Sequence, residues 1–342
     1  MDEDDRPGDR QDVTLAEVAR IAGVSASTVS RVIRNRDMVH PGTAERVRSA
    51  MAELGYSNSR ASAVKKGVLL VPVCLPSISD PFFALVLKGI VDTASLADAL
   101  VCYVDADYSH RAQEAGMIRF VESGAVGAIV TPVDSDPDFC GRLEELAAPL
   151  VYVDRSPFDL HVHRVVADDV DGAYQATKYL LSMGHRRVLF IGGDKNISTE
   201  RDRLTGYKLA LEEAGIAVDH GRIHEHSFDE SRLAEEDTQG YLLKLDYTAI
   251  VAANDNLAGV ATRALRRAGL QIPEQVSVVG YGDLPYSHNA ALTTVSVPAY
   301  EMGKNAFLLY QAIREGKVPE PKEIILRPSM ILRSSCAQPP TS

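Results

Sequence analysis

The chain contains 342 residues, a length that predicts two or three domains, and hydrophobic residues make up 45% of it, enough for substantial buried cores. No apolar run approaches the ~18 residues needed to span a bilayer, and no N-terminal apolar segment indicates export, so we expect neither a membrane nor a secreted protein. The four cysteines, Cys74, Cys102, Cys140 and Cys336, lie far apart without metal-ligand spacing, which indicates reduced thiols in a cytoplasmic protein.

The net charge of −11 is distributed unevenly along the chain. Residues 1–12 carry six acids against two arginines, residues 13–67 carry nine Lys/Arg against four acids, and the remaining 275 residues are acidic again. A basic segment on an acidic body can bind phosphates locally while the body is repelled from DNA. Residues 1–12 are predicted to form a disordered acidic tail, which either solubilises the protein or competes weakly with DNA for the basic segment.

Two short helices separated by a glycine are predicted in residues 13–57. The first begins with Thr14 and Glu17, which are spaced as a capping box, and it continues as an apolar stripe. Gly23 ends this helix, and Ser25 is placed to cap a second helix that runs from residue 26 to residue 33. Two helices across a glycine turn predict either a helix-turn-helix, whose second helix enters the major groove of DNA, or a small helical bundle for protein contacts.

The candidate base-reading side chains lie at the start of the second helix. Ala26 and Ser27 can offer a methyl contact and one short hydrogen bond, whereas Arg31 is long enough to reach a guanine or a phosphate. Arg34 and Arg36 are expected to bind phosphates without regard to sequence. The candidate DNA contacts of this segment are Thr14, Ser25, Ala26, Ser27, Thr28, Ser30, Arg31 and Arg34.

After Gly67, short apolar runs alternate with helix-length segments such as residues 82–98 and 114–123, which predicts buried parallel strands joined by helices. The runs of a first series are 69–75, 99–106, 127–133 and 149–154. The runs of a second series are 165–169 (VVADD), 186–194, 222–228, 249–255 and 276–283. Two consecutive α/β series predict two doubly wound parallel sheets that face a cleft, where ligands bind at the carboxyl ends of the strands.

Aromatic and polar side chains near the predicted strand ends are candidate ligand contacts. Phe82 and Phe83 can present a flat apolar face to a sugar or base ring, or they can pack beneath the next helix. An arginine fork at Arg201 or Arg203 suits vicinal hydroxyls or a carboxylate. The candidate effector contacts are Ser77, Phe82, Phe83, Asp154, Arg155, Arg203, Phe228, Asn254 and Asp283.

Motifs of common enzyme classes are absent from the sequence. The nine histidines form no HExxH or other metal pattern, and the chain has no GxSxG, GxxxxGK[ST] or GxGxxG segment. We therefore expect no enzymatic activity, and we assign no catalytic residue, no metal ligand and no cofactor.

Both halves of the chain resemble one protein family. The segments TLAEVA, AGVSASTVSRVI and AMAELGY are similar to the DNA-binding headpiece of the LacI/GalR family of bacterial transcriptional regulators. From residue 68 to about residue 335 the chain resembles the periplasmic-binding-protein-like core of the same family. The segments that carry this second resemblance are SDPFF, VDR, GHRRVLFIGG, RLTGY, AAND, VSVVGYGD and LTTVSVPAYEMG.

The resemblance implies an all-α helix-turn-helix headpiece followed by an α/β two-lobed periplasmic-binding-protein-like domain. The chain of such a protein crosses between the lobes three times. The expected divisions are a tail at 1–12, a DNA-binding domain at 13–57, a hinge at 58–67, and an effector-binding and dimerisation domain at 68–342. Within the last, the N-lobe is expected at about 68–166 and 297–325, and the C-lobe at about 167–296.

The resemblance also implies roles for single residues. Arg203 and Asn254 match ligand-contacting positions of the family, whereas Asp255 is expected to cap the next helix. The family commonly has two consecutive acids where this chain has Gly282 followed by Asp283. If the missing first acid is the one that binds hydroxyl groups in relatives, the identity of the effector does not transfer from the family.

In relatives the hinge becomes a helix on operator DNA and wedges a leucine into the minor groove. Lys65 stands at the leucine position of this chain, and Asn58 stands where a proline is usual. Either Val64 wedges after a shift of one residue, or the hinge contacts phosphates through Arg60, Lys65 and Lys66.

The function implied is that of a homodimer, or a higher oligomer, that binds pseudo-palindromic double-stranded operator DNA on the cytoplasmic nucleoid. We expect a repressor whose operator affinity is controlled by a small molecule, a carbohydrate or a nucleoside, bound between the lobes. The alternative is a cytosolic small-molecule sensor that acts mainly through protein contacts.

Overall fold

The computed structural model describes residues 15–25, 28–29, 32, 40–54, 69–158, 160–225 and 242–340. The chain divides into two compact units, Met1–Gly67 and Val68–Ser342. Among the described residues, no helix combines the length and the apolar character required to cross a membrane.

The described part of the first unit is helical. Helix α1 (Leu15–Ala22) and helix α2 (Pro41–Glu53) pack through a small apolar core to which Val29 and Val32 also contribute. Gly23 ends α1 with a positive φ of 63°, a conformation that glycine adopts without strain. The Ser25 hydroxyl accepts a hydrogen bond from the Thr28 backbone N–H at 3.2 Å, as predicted for the cap of the second helix.

The first sheet of the second unit is parallel throughout, and within the described residues its strand order is β2-β1-β3-β4-β5-β11. Its strands are β1 (Leu70–Leu75), β2 (Leu100–Asp105), β3 (Ala128–Val130), β4 (Leu150–Val153), β5 (His163–Ala167) and β11 (Glu323–Leu326). Helices α3 (Pro81–Leu96) and α10 (Ala299–Arg314) pack together against this sheet. Helices α4 (His110–Glu122) and α5 (Pro137–Ala147) contribute to a separate apolar cluster with other residues of the same strands.

The second sheet repeats this arrangement, with the described order β7-β6-β8-β9-β10-β12. Its strands are β6 (Val188–Gly192), β7 (Ile223–Glu225), β8 (Ala249–Ala252), β9 (Ser277–Gly282), β10 (Thr293–Ser296) and β12 (Ser329–Ile331). All neighbours are parallel except β12, which runs antiparallel to β10. Within the described residues, the α-helices of this lobe are α6 (Asp169–Ser182), α7 (Ser198–Glu213), α8 (Asp255–Arg267) and the short α9 (Pro285–Asn289). The prediction of two doubly wound sheets is therefore confirmed.

The VVADD run belongs to the first sheet and not, as predicted, to the second series. Val165 pairs with Val153 of β4 and with Ile324 of β11, so the run forms most of β5. The chain leaves the first sheet only after this strand, where the Asp168 side chain caps α6 of the second lobe. An apolar run shows that a strand is buried but does not show which sheet it joins.

The chain passes between the two sheets at three places, namely after β5, between β10 and α10, and between β11 and β12. The last passage returns residues 329–337 to the second sheet, a segment that the sequence analysis assigned to neither lobe. The Ser335 hydroxyl donates to the Val278 carbonyl at 2.6 Å, and the Ser335 carbonyl accepts from the Val278 N–H at 2.9 Å. Each lobe is thus assembled from segments that are distant in the sequence.

Helices α3 and α10 meet at two glycines, and their backbones touch there. A Cβ atom on Gly303 would overlap the Val86 carbonyl oxygen, and one on Gly89 would overlap the Tyr300 carbonyl oxygen. We expect Gly303→Ala to lower the free energy of unfolding by about 1–3 kcal/mol, because the two helices must separate to admit the methyl group. Urea denaturation followed by circular dichroism measures this loss.

Gly141 provides a matched control for this substitution. It lies inside α5, and a Cβ placed there would meet no atom within 4 Å. Gly141→Ala should raise stability by about 0.4–1 kcal/mol through helix propensity and a less flexible unfolded chain. Equal effects of the two substitutions would show that the close approach at Gly303 is unimportant.

Candidate functional site

A cavity of about 690 Å³ lies between the two lobes. Its walls come from the segments that follow β1 and β4 of the first sheet and β8 and β9 of the second, together with the first turn of α7. The position agrees with the rule that open parallel sheets bind ligands at the carboxyl ends of their strands. The volume lies within the range of ~300–1,000 Å³ that small-molecule sites occupy.

The first-lobe wall contains the two predicted phenylalanines. The Asp80 side chain accepts from the Phe82 N–H at 2.9 Å and Pro81 starts α3, which brings both rings to the start of the helix beside the cavity. Both rings line the cavity, but Phe83 is buried in the core and packs edge-on against Phe82. Phe82 is only partly buried, so it is the ring better able to cover a ligand face.

Asp154 and Arg155 line the cavity directly after β4. Asp154 adopts a positive φ of 69°, and its backbone N–H donates to Val165 of the neighbouring strand. The Arg155 guanidinium donates to the Val133 carbonyl at 3.1 Å and lies 5.4 Å from the centre of the Phe83 ring. Arg155 Nε lies 3.8 Å from Asp154 Oδ2, which is beyond hydrogen-bond distance.

Burial raises the pKa of Asp154 to about 7, although the Arg155 charge opposes this. The buried carboxyl is harder to ionise in the folded protein than in the unfolded chain, where its pKa has the ordinary value of 3.8. The free energy of unfolding therefore falls as the pH rises from 3.8 to about 7. Asp154→Asn should remove this contribution. Relative to wild type, the free energy of unfolding of the variant should rise by about 4 kcal/mol across this pH window and by no more above it.

Urea titrations of both proteins at a series of pH values measure this difference. The exposed Asp138 on α5 offers a control, since Asp138→Asn changes the same formal charge away from the cavity. If Asp154→Asn leaves the pH dependence of stability as it is in wild type, Asp154 does not hold a proton in the folded protein.

Arg203 on α7 is the central cation of the second-lobe wall. Its Nε donates to Asp169 Oδ1 at 2.9 Å, and its Nη1 donates to the Ala253 carbonyl at 2.7 Å. The guanidinium also lies 4.1 Å from the centre of the Tyr281 ring. Burial opposes its charge, but Asp169, Tyr281 and the nearby acids together raise the pKa of Arg203, so the side chain remains a fixed cation at the cavity.

Glu200, one helical turn before Arg203, lines the cavity and was not among the residues predicted from sequence. Its Oε2 accepts from the Gly193 N–H at 2.7 Å. Among the atoms that the structure describes, its buried Oε1 has no hydrogen-bond partner, and Arg203 Nη1 lies 3.8 Å away. Burial raises the pKa of Glu200, while the charges of Arg203 and, across the cleft, Arg155 lower it.

Asn254, and not Asp255 as expected, caps α8. The Asn254 side chain accepts from the Leu257 N–H at 2.8 Å and therefore caps α8, while the residue also lines the cavity. Asp255 does not cap a helix, so that prediction was wrong. Its fully buried carboxylate accepts hydrogen bonds from the Leu284 N–H and from the hydroxyls of Ser287 and Thr294.

Two predicted effector contacts, Ser77 and Asp283, are not among the residues that line the cavity. The Ser77 hydroxyl shares a hydrogen bond of 2.8 Å with Ser79, and Asp283 accepts from Arg333 Nη2 at 2.6 Å. Gly282 lines the cavity instead, with a φ of 127° that favours glycine. This backbone conformation gives a structural reason for glycine where the family commonly has an acid.

Some predicted residues lie outside the described part of the chain. Of the DNA-contact candidates, only Ser25 and Thr28 are described. Those outside it are Thr14, Ala26, Ser27, Ser30, Arg31, Arg34, Arg60, Val64 and Lys65, together with Phe228 among the effector candidates.

Beside the cavity, the two lobes are joined by direct hydrogen bonds. Ser135 of the first lobe accepts from the Ser198 N–H at 3.0 Å and donates its own N–H to the Asn196 carbonyl at 2.8 Å. Arg201 stacks on the Phe158 ring, with 3.6 Å between its guanidinium carbon and the ring centre. Of the two arginines considered from sequence, Arg203 therefore lines the cavity and Arg201 contacts the opposite lobe.

Within the described ranges, no group of three or more His, Cys, Asp or Glu side chains is arranged to hold a metal ion.

Comparison with known proteins places both units in one family. Residues 14–59 match the family described as bacterial regulatory proteins, lacI family, and residues 177–336 match the periplasmic binding protein-like domain. The HTH-type transcriptional regulator DegA of Bacillus subtilis (strain 168) is 33% identical over 332 residues, which cover 94% of this chain and 97% of DegA. The HTH-type transcriptional repressor CytR of Escherichia coli (strain K12) is 30% identical, covering 94% of this chain and 96% of CytR.

A solved structure shows the same architecture. The complex of the transcriptional regulator CelR with cellobiose is 29% identical, covers 94% of this chain and 99% of its own, and superposes with a TM-score of 0.71. The similarity thus spans the helical unit, both sheets and the cavity between them. The chain belongs to the LacI family of bacterial transcriptional regulators, which bind DNA, carry an effector-binding domain and are not enzymes.

Proposed function

We propose that this protein is a repressor that binds a pseudo-palindromic operator as a homodimer. Its affinity for the operator changes when a small molecule binds in the cavity. The observation that carries the proposal is a cavity of small-molecule size, with charged side chains from both lobes, in a chain whose first unit matches a DNA-binding family. The effector is a carbohydrate or a nucleoside. CytR is named a repressor, and CelR was solved with cellobiose, which supports both parts.

The two lobes offer a physical route for the switch. A ligand in the cavity contacts Asp154 and Phe82 of the first lobe and Arg203 and Asn254 of the second, so it favours one arrangement of the lobes over others. A differential affinity of about 1–3 kcal/mol between arrangements is enough for a useful allosteric effect. In the proposed dimer, a change of lobe arrangement alters the spacing of the two headpieces and so their joint affinity for the operator.

On the DNA side, Ala26 and Ser27 are proposed to read bases, while Arg34 and Arg36 bind phosphates. The hinge acts either through Val64 in the minor groove or through phosphate contacts of Arg60, Lys65 and Lys66. Ser27→Ala should then change the ranking of operator sequences, whereas Arg34→Ala should weaken all of them and flatten the salt dependence.

The proposal is tested in two steps with the full-length protein. A thermal-shift screen of sugars, nucleosides and purines identifies ligands, since a ligand at 100 times its Kd adds ~2.7 kcal/mol of stability. A mobility-shift assay on DNA upstream of the protein's own gene, at a fixed salt concentration, then measures affinity with and without each ligand. Absence of specific DNA binding would refute the repressor role, and ligands that bind without changing operator affinity would refute the allosteric part.

A further inference from the structure

One carboxylate oxygen of Glu200, Oε1, is a buried acceptor at the cavity that indicates what kind of ligand binds there. The side chain is only 3% exposed, and one of its two carboxylate oxygens is taken by the Gly193 N–H. The other oxygen has no hydrogen-bond partner among the described residues. Leaving a buried acceptor unpaired is unfavourable, so a ligand group that donates a hydrogen bond there is stabilised.

The cations at the cavity are already engaged by the protein. Arg203 donates to Asp169 and to the Ala253 carbonyl, and Arg155 donates to the Val133 carbonyl. Asp169 does not line the cavity, but its carboxylate adds negative charge directly behind Arg203. Asp169 therefore partly neutralises Arg203 before any ligand binds, and Arg155 already donates to a backbone carbonyl.

The lining acids outnumber these cations. Among the described residues, Asp80, Asp154 and Glu200 line the cavity together with two basic side chains, Arg155 and Arg203. Charged groups of the two lobes also act on one another across the cavity. Burial raises the pKa of Asp154 and of Glu200, and an arginine of the opposite lobe lowers each of them in part, Arg203 for Asp154 and Arg155 for Glu200. The described lining thus has more carboxyl groups than basic groups, which favours a ligand that donates hydroxyl hydrogens. An anion would have to compete with Asp169 and with backbone carbonyls for the two arginines.

We propose that Glu200 is a specificity-determining residue that accepts a hydroxyl group of a neutral carbohydrate and disfavours phosphorylated and acidic sugars. The inference rests on the proposed function, because it takes the cavity as the effector site, and it adds the charge class of the effector. Phe82 lines the same cavity and supplies the apolar face on which the C–H groups of a sugar ring can pack.

The first experiment compares matched neutral and anionic probes on the full-length protein. Thermal shift and calorimetry are measured with glucose, galactose, ribose and cellobiose, and with glucose 6-phosphate, galactose 6-phosphate, ribose 5-phosphate and cellobionate. We expect at least one neutral sugar to bind, and its anionic counterpart to bind at least about tenfold more weakly. This comparison needs no variant, so it stands whether or not Glu200 substitutions fold.

The second experiment changes Glu200 itself. Glu200→Gln keeps the shape of the side chain and an oxygen for the Gly193 N–H, but it removes the negative charge and one acceptor. We expect the variant to bind the neutral sugar about tenfold more weakly than wild type does. The ratio of the Kd of the anionic sugar to that of the neutral sugar should fall by a similar factor. Glu212→Gln, an exposed acid on the same helix, serves as the control and should change neither value.

The outcomes separate this inference from the proposed function. An anionic sugar that binds as tightly as its neutral counterpart overturns the role of Glu200, as does a Glu200→Gln variant that loses both equally. If no neutral sugar binds but a nucleoside or purine binds and shifts operator affinity, the carbohydrate class is wrong and the proposed function stands. If no small molecule shifts operator affinity, the proposed function itself fails.

Discussion

Arg203→Met is expected to lower the free energy of unfolding by about 3–5 kcal/mol and to abolish the response to any cavity ligand. Arg203 is 8% exposed and Asp169 is 3% exposed, so the substitution leaves a buried carboxylate without its cation. The Ala253 carbonyl loses its donor at the same time. Urea denaturation measures the loss of stability, and the shift in Tm on adding ligand measures the loss of binding.

A double-mutant cycle shows whether the buried pair is the cause. In Arg203→Met combined with Asp169→Leu, no charge of the pair remains buried, so the double variant should recover much of the stability that Arg203→Met loses. Arg201→Met is a second control on the same helix, where the exposed side chain stacks on Phe158, and it should cost about 1 kcal/mol or less. Additive losses in the cycle would mean that Arg203 and Asp169 act independently.

The sequence was sufficient to predict the two sheets because their central strands are buried on both faces. Val71, Val73 and the residues around Ile129 are fully buried, and such strands produce short apolar runs that are separable from amphipathic helices. The assignment of β5 failed because burial says nothing about which sheet a strand joins. The contribution of residues 329–337 to the second sheet could not be predicted either, since β12 is a three-residue strand with a partly exposed pattern.

The candidate site was predicted in part, at positions where polar or aromatic residues follow strands. Phe82, Asp154, Arg203 and Asn254 line one cavity, as strand ends in a doubly wound fold should. Glu200 was missed because it lies within the first turn of α7, where an acid is ordinary on a helix exposed to solvent. In the structure Glu200 lines the cavity, and its carboxylate is buried there with Oε2 bonded to the Gly193 N–H.

Neighbouring polar residues show a further limit of sequence reasoning. Asn and Asp are both good helix caps, so the pair Asn254–Asp255 does not reveal which residue caps α8. The choice depends on three donors from residues 284, 287 and 294, which lie 29 to 39 positions further along the chain. The sequence shows that these residues are polar or carry an N–H but not that they converge on one carboxylate.

This convergence makes Asp255→Ala the second substitution with a large expected effect, a loss of about 3–5 kcal/mol of unfolding free energy. The carboxylate accepts from the Leu284 N–H at 2.9 Å and from the Thr294 hydroxyl at 2.6 Å, and the Ser287 hydroxyl also donates to it. Alanine leaves all three donors buried without an acceptor. Urea denaturation of the full-length protein measures the cost.

The same bonds tie together two walls of the cavity, because Asp255 follows Asn254 at the start of α8 and holds the segment after Gly282. Asp255→Asn keeps one acceptor oxygen and should therefore lose less stability than Asp255→Ala while still weakening ligand binding. Thr294→Val removes a single donor from the far side of the carboxylate and should cost about 1 kcal/mol without moving the cavity wall. If Asp255→Ala folds with wild-type stability and binds ligand normally, the network does not hold the cavity in shape, and the walls must be positioned by the packing of α8 alone.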